Sequence, residues 1–200
     1  LVLEVLDEVA SGVTLTPADA GSVNYTISNS SVVKVDDGKI IALAEGSATI
    51  TVSFAGDDTY ATAENKTISV TVNLKDASVS VNNDTLALNV GDTFTIFATT
   101  TPENLTVTYV PDDSGVYSVD DSGVVTALKE GNATIVVKVG GDGVYVENTV
   151  TVAVSVSKVH TEISVLNDSL VLEVNDEVAS GVSLTPADAG SVNYTISNRS

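Results

Sequence analysis

VDDSGVVTALKEGNATI, residues 119–135, is the stretch on which the reading of this chain turns. Its second half, Ala127-Leu128-Lys129-Glu130-Gly131-Asn132-Ala133-Thr134-Ile135, has a counterpart 85 residues earlier in Ala42-Leu43-Ala44-Glu45-Gly46-Ser47-Ala48-Thr49-Ile50. The same offset pairs Gly56-Asp57-Asp58-Thr59-Tyr60 with Gly141-Asp142-Gly143-Val144-Tyr145, and Thr16-Pro17 with Thr101-Pro102. At an offset of 84, Val79, Val81, Asn83, Asp84, Leu86, Leu88, Val90 and Asp92 meet Ile163, Val165, Asn167, Asp168, Leu170, Leu172, Val174 and Asp176. A longer period of 169 contains two such units: residues 170–200 repeat residues 1–31 with three differences, Leu6 against Asn175, Thr14 against Ser183 and Ser30 against Arg199. Self-similarity at a fixed period is the signature of tandem structural units.

The periods divide the chain into residues 1–75, a domain without its first strand; residues 76–158, a complete domain; and residues 159–200, the opening part of a third. Both termini fall inside the repeat, so the sequence reads as an excerpt of a longer tandem polypeptide, with residues like 159–169 expected ahead of Leu1.

Within each unit the hydrophobic period is two. Ile68, Val70 and Val72 alternate with Thr67, Ser69 and Thr71, and Val150, Val152, Val154 and Val156 alternate with Thr, Ala and Ser. Such alternation predicts strands with one buried face. Short β-branched runs separated by Gly, Asp, Asn and Pro predict an all-β chain of tandem immunoglobulin-like antiparallel β-sandwich domains. A unit this small, without disulfide or Trp, must rest its stability on Val, Ile and Leu packing.

The run Val119–Ile135 resembles the hallmark V-D-x-x-G-x-V-x-A-L-x-x-G-x-A-T-I of the bacterial immunoglobulin-like domains of group 2. The upstream L-x-V-G-D element stands at Leu88-Asn89-Val90-Gly91-Asp92, followed by Thr-Pro. The resemblance extends over essentially all 200 residues, with Tyr25, Tyr109 and Tyr194 where family members usually carry a Trp. It implies tandem domains as in the stalks of intimin- and invasin-like adhesins, and the Thr- and Asn-rich style is most similar to adhesin-like surface proteins of methanogenic archaea. Extracellular display at the cell surface is what the resemblance implies; it supplies no ligand.

Composition narrows the chemistry. The formal charge is −19, with eight Lys and Arg against 27 Asp and Glu. Scattered cations cannot form the basic stripe that phosphate neutralisation requires, so nucleic acid and anionic membrane surfaces are poor partners. No apolar run approaches the roughly 18 residues of a membrane span. There is no Cys or Gln, which excludes disulfides, thiolate metal sites and ester or thioester crosslinks that use Gln. The single His160 reads as an exposed linker residue. With no phosphate loop or nucleophile elbow, the expectation is a non-enzymatic protein without cofactor or catalytic residue.

Nine N-x-S/T sequons stand at Asn24, Asn29, Asn65, Asn83, Asn104, Asn132, Asn167, Asn193 and Asn198. With 14 Asn and 46 Ser plus Thr, composition alone predicts roughly 3. Repetition enlarges the excess, since Asn193 and Asn198 copy Asn24 and Asn29, and Asn167 corresponds to Asn83. Parity supplies a separate argument: if Val23, Tyr25 and Ile27 face the core, Asn24 faces solvent, and the same reasoning turns Asn65, Asn104 and Asn132 outward. Asn29, Asn83 and Asn167 fall at expected turns. N-linked glycans are the covalent partners these positions predict, against the plainer reading that Asn and Thr are simply common on turns and outer faces.

Two further constellations carry candidate chemistry. Asp36-Asp37, Asp57-Asp58, Asp112-Asp113 and Asp120-Asp121, or the junction at Lys75-Asp76, offer carboxylates for Ca²⁺, but no D-x-D-x-D-G loop is present and no metal ligand is assigned. Lys34, Lys66 and Lys138 are candidates for a Lys–Asn isopeptide crosslink, and read more simply as charges guarding strand edges. The leading functional expectation is a glycosylated stalk or spacer of a large adhesin-like protein, partnered by neighbouring repeats of the same polypeptide. The alternative is a building unit of an extracellular filament or pilus-like fibre, completed by strands from other molecules. Direct carbohydrate or protein binding by the sandwich loops is a third reading, with no aromatic cluster behind it.

Overall fold

The alternating runs become strands because one row of Val, Ile and Ala can leave water while the intervening Thr and Ser remain solvated. The structure, a computed structural model, describes residues 1–197. The first sandwich contains β1 (Val2–Glu4), β2 (Glu8–Ala10), β3 (Asn24–Ile27), β4 (Val33–Asp36), β5 (Lys39–Ala42), β6 (Gly46–Ser53) and β7 (Lys66–Asn73). One sheet has the order β1-β7-β6-β3 and the facing sheet β2-β5-β4. The second sandwich contains β8 (Ser78–Val81), β9 (Thr85–Asn89), β10 (Thr93–Thr95), β11 (Ala98–Thr101), β12 (Thr108–Pro111), β13 (Tyr117–Val119), β14 (Val124–Ala127), β15 (Gly131–Val139) and β16 (Asn148–Ser157). Its sheets run β9-β16-β15-β12 and β10-β14-β13, with β8 and β11 forming a separate ladder. A third pair, β17 (Glu162–Val165) and β18 (Val182–Thr185), follows.

Each core is one face of the long central strands. In the second sandwich Ala133, Ile135, Val137 and Val139 of β15 and Val152, Val154 and Val156 of β16 are buried. Tyr117, Val125 and Ala127 close the same cluster from the other sheet. The first sandwich repeats the plan with Ala48, Ile50, Val52, Val70 and Val72 against Val33, Ile40 and Ala42. The layers are not wholly antiparallel, however. β1 runs parallel to β7, and β9 parallel to β16, each lying at the edge of its sheet beside the last strand of its sandwich.

The hallmark stretch forms the β13–β14 hairpin and its continuation into β15. Here the two repeats differ in length: Val35 corresponds to Val119 at 84 residues, whereas Ala42 corresponds to Ala127 at 85. The first sandwich closes its hairpin with Asp37 (φ 44°) and Gly38 (φ 70°) between the paired residues Asp36 and Lys39. Positive φ at both central residues is the two-residue turn that matches strand twist. The second sandwich uses a longer turn, in which Asp120 Oδ1 accepts the amides of Ser122 and Val124, both at 2.9 Å. Gly123 is buried under the core, with φ 80°. A Cβ there would lie 2.5 Å from the Ile96 carbonyl oxygen and 2.7 Å from the Tyr109 ring. The G of the hallmark is therefore a site where strand ends and an aromatic ring approach backbone too closely for any side chain.

Residues 159–197 show how far strand formation depends on partners. Val2–Glu4 is a strand in the first sandwich, whereas its identical copy Val171–Glu173 is paired with no strand among the described residues. Conversely Val182–Thr185 is the strand β18, paired with β17, while its near-copy Val13–Thr16 is unpaired. Local propensity is the same in each pair; the neighbour that completes the ladder decides.

Candidate functional site

The candidate functional surfaces are the sequon asparagines, the acidic turns and the contact between sandwiches. Asn24, Asn29, Asn65, Asn83, Asn104, Asn132, Asn167 and Asn193 are all exposed. Asn198 lies outside the described residues. Asn24 is the first residue of β3, between half-buried Val23 and Tyr25; Asn132 lies on β15, between Gly131 and buried Ala133. Asn65 directly precedes β7, so Lys66 opens that strand at its margin. Asn104 departs from the expected strand parity: it sits in a turn with φ 65°, and β12 begins only at Thr108. Asn29 Oδ1 accepts both the amide and the hydroxyl of Ser31, at 3.2 and 2.6 Å, so the hydroxyl of the sequon is bonded to its own asparagine side chain.

The acidic turns hold the backbone. Asp57 Oδ1 accepts the amides of Thr59 and Tyr60, both at 2.7 Å, and its repeat counterpart Asp142 accepts those of Val144 and Tyr145 at 3.0 and 2.9 Å. Asp112 ties the end of β12 to β15: Oδ1 takes the Ser114 amide and hydroxyl, and Oδ2 takes the Thr134 amide at 2.7 Å. Among the described residues no group of three His, Cys, Asp or Glu is arranged to hold a metal. Lys34, Lys66 and Lys138 pair on the surface with Asp36, Glu64 and Glu147. His160 is exposed, 3.4 Å from Glu162.

These bonds have a pH signature. The Ser114 hydroxyl and then the Thr134 amide hold the Asp112 carboxyl below its ordinary range, and the Tyr145 and Val144 amides do the same for Asp142. A carboxylate whose pKa is depressed on folding stabilises the fold above its unfolded value, about 3.9, and loses that contribution as pH falls through the folded value. Asp112→Asn is therefore expected to melt below the parent at pH 7, with the gap narrowing once pH drops beneath about 4. Melting curves at pH 7 and pH 3 check this, and a gap of constant size contradicts it.

The sandwiches meet through a contact that carries no motif. The β15–β16 loop reaches back so that Val144 packs against the core cluster of the first sandwich. The Lys75 amide donates to the Val144 carbonyl at 2.8 Å, and the Val146 amide donates to the Lys75 carbonyl at 2.9 Å, forming a parallel bridge between Lys75 and Tyr145. Lys75 Nζ stands 3.9 Å from Asp7 of the first sandwich. Main-chain bonds on both sides of one residue, beside an apolar plug, fix direction as well as distance. Sequence reading placed the junction at Lys75-Asp76 and missed Val144 and Tyr145; their pairing with Thr59 and Tyr60 in the repeat was the available signal, and it does not say what the loop touches.

The hallmark hairpin, the paired sandwich layers and the Ig-like core are those of the bacterial Ig-like domain (group 2), whose family profile matches residues 76–148. Over residues 76–148 the chain carries the profile of a bacterial Ig-like domain of group 2. This Ig-like domain is a structural, non-catalytic domain type. Residues 18–72 match a different profile, the N-terminal beta-sheet domain of hyaluronate lyase. No curated protein matches the chain. Among solved structures, the S-layer protein SbsC is similar over 86% of this chain and 29% of its own, at 19% identity and a TM-score of 0.34. Drosophila N-cadherin is similar over 79% of this chain and 64% of its own, at 13% identity and 0.33. A SusE-like surface located polysaccharide binding protein from Bacteroides thetaiotaomicron is similar over 78% of this chain and 33% of its own, at 13% identity and 0.33. The chain spans less than a third of the SbsC structure that it matches.

Proposed function

We propose that this chain is part of a glycosylated, cell-surface spacer in which tandem Ig-like sandwiches are coupled end to end and hold a terminal module away from the envelope. The observation that carries the reading is the junction, where Val144 is seated on the core cluster of one sandwich and Lys75 is bonded on both its amide and its carbonyl. A spacer needs stiffness, and a linker fixed by main-chain bonds provides it where a flexible one would coil. The eight exposed sequon asparagines support N-glycans that keep water around the array. The charge of −19 adds repulsion between neighbouring arrays, acting over the roughly 8 Å Debye length of physiological salt. Residues 1–75, 76–158 and 159–200 are, in this reading, successive units of one series.

Deletion of one 169-residue repeat pair from the native surface protein should shorten its reach in electron micrographs while leaving the terminal module able to bind. Unchanged reach would remove the spacer reading. The native protein should also weigh more than its bare chain, with glycopeptides at the named asparagines; a bare-chain mass would remove the glycan half alone.

A further inference from the structure

The direction of β9 is a feature that an antiparallel sandwich does not require. β9 runs parallel to β16 over five pairs, from Thr85 beside Ala153 to Asn89 beside Ser157. The ladder is extended at both ends: the Ala153 amide donates to the Asp84 carbonyl at 2.8 Å, and the Val90 amide to the Ser157 carbonyl at 2.9 Å. The plan recurs in the first sandwich, where β1 is parallel to β7 and the Val5 amide donates to the Asn73 carbonyl at 2.9 Å. Val5 is the repeat counterpart of Val90, and Asn73 that of Ser157.

Parallel pairing decides how these bonds meet a pull along the chain. The chain enters the complete sandwich ahead of β9 and leaves it after β16, so tension drags the first end of β9 and the last end of β16 apart. In two parallel strands those ends lie at opposite extremities of the ladder. The strands must then slide past each other, and the evenly spaced bonds of a parallel ladder share the load. Antiparallel neighbours pulled at one end instead open pair by pair. β8 pairs only with β11, in a separate ladder, so its release leaves β9 and β16 joined. Buried Leu86, Val154 and Val156 cover the inner face of the β9–β16 ladder and shield its bonds from water there.

We propose that the second sandwich bears tension along the array, with the β9–β16 ladder as its mechanical clamp. The proposal rests on the spacer reading for the source of the load, while the resistance belongs to the sandwich and is measured without reference to it.

The chain has no Cys, so introduced cysteine pairs define the pulling points of the 200-residue chain in optical tweezers. Asp76→Cys/Lys158→Cys loads the ladder lengthwise. Asn132→Cys/Ser155→Cys separates two exposed residues that face each other across β15 and β16, which opens the sheet pair by pair. At equal loading rate the lengthwise pull should need about threefold the force of the crosswise one, because forced unfolding is governed by the unfolding barrier along the pulled direction. In the lengthwise pair, Val90→Pro deletes a clamp bond and should lower the force. Ala87→Pro should leave it unchanged, since alternation from Val90 directs the Ala87 amide away from β16. The comparison of directions uses no proline and stands even where a variant fails to fold. Equal forces in the two directions would overturn the proposal, as would equal forces for the two proline variants. Either result would leave the spacer reading in place, because an array can set a distance without resisting a pull.

Discussion

Ile135→Ala is expected to destabilise the second sandwich by about 3 kcal/mol, lowering its melting temperature by about 12–24 °C. Ile135 is fully buried on β15, between Pro111 of β12 and Val152 of β16, and its side chain is among the largest fully buried ones in the chain. Truncation removes transfer free energy and leaves a cavity that the two sheets cannot collapse around, because flanking Val125, Val137 and Val152 are themselves fully buried. The core has no disulfide or Trp to compensate, and a domain of this size carries only a modest margin. Calorimetry on the chain should resolve the affected transition. A loss below about 1 kcal/mol would mean that the core is not packed as described.

The second large effect is predicted at a residue with no side chain. Gly123→Ala should cost about 3 kcal/mol, combining positive-φ strain with overpacking against backbone. The added Cβ would meet the Ile96 carbonyl and the Tyr109 ring, and Tyr109 itself is fixed by its hydroxyl donating to that same carbonyl at 3.0 Å. Neither neighbour is the free end of a flexible chain. Gly38 provides the control: it also has positive φ, at 70°, but a Cβ there meets nothing within 4 Å. Gly38→Ala should therefore cost only about 1 kcal/mol. Equal losses for the two, read from urea midpoints, would show that φ alone matters and that the close approach does not.

What was legible in the sequence follows from which forces are local. Period-two runs such as Ile68-Ser69-Val70-Thr71-Val72 are legible because burial on one face of a sheet is a property of alternate residues. Their outcome is an all-β, Ig-like sandwich, with Val70 and Val72 buried. The parallel pairing of β1 with β7 was not legible, since a three-residue strand says nothing of the direction in which its neighbour runs. Asn104 illustrates the limit of parity: the pattern of Leu105, Val107 and Tyr109 reads as one strand, but the turn after Pro102 occupies its first residues and sets Asn104 in the left-handed region. Identical sequence with unlike structure, at Val2–Glu4 and Val171–Glu173, marks the same boundary. The junction was hidden for a related reason. Val144 reads as one apolar residue in a Gly-rich loop, and only the placement of the first sandwich gives it something to bury against.

The most direct test of a stiff, repeat-built spacer is whether the two sandwiches tumble as one. Residual dipolar couplings measured across residues 1–158 of the chain should fit a single alignment tensor, because Val144 and the two Lys75 main-chain bonds hold one sandwich on the other. Two tensors of clearly different magnitude would show the sandwiches moving independently, and would contradict the account.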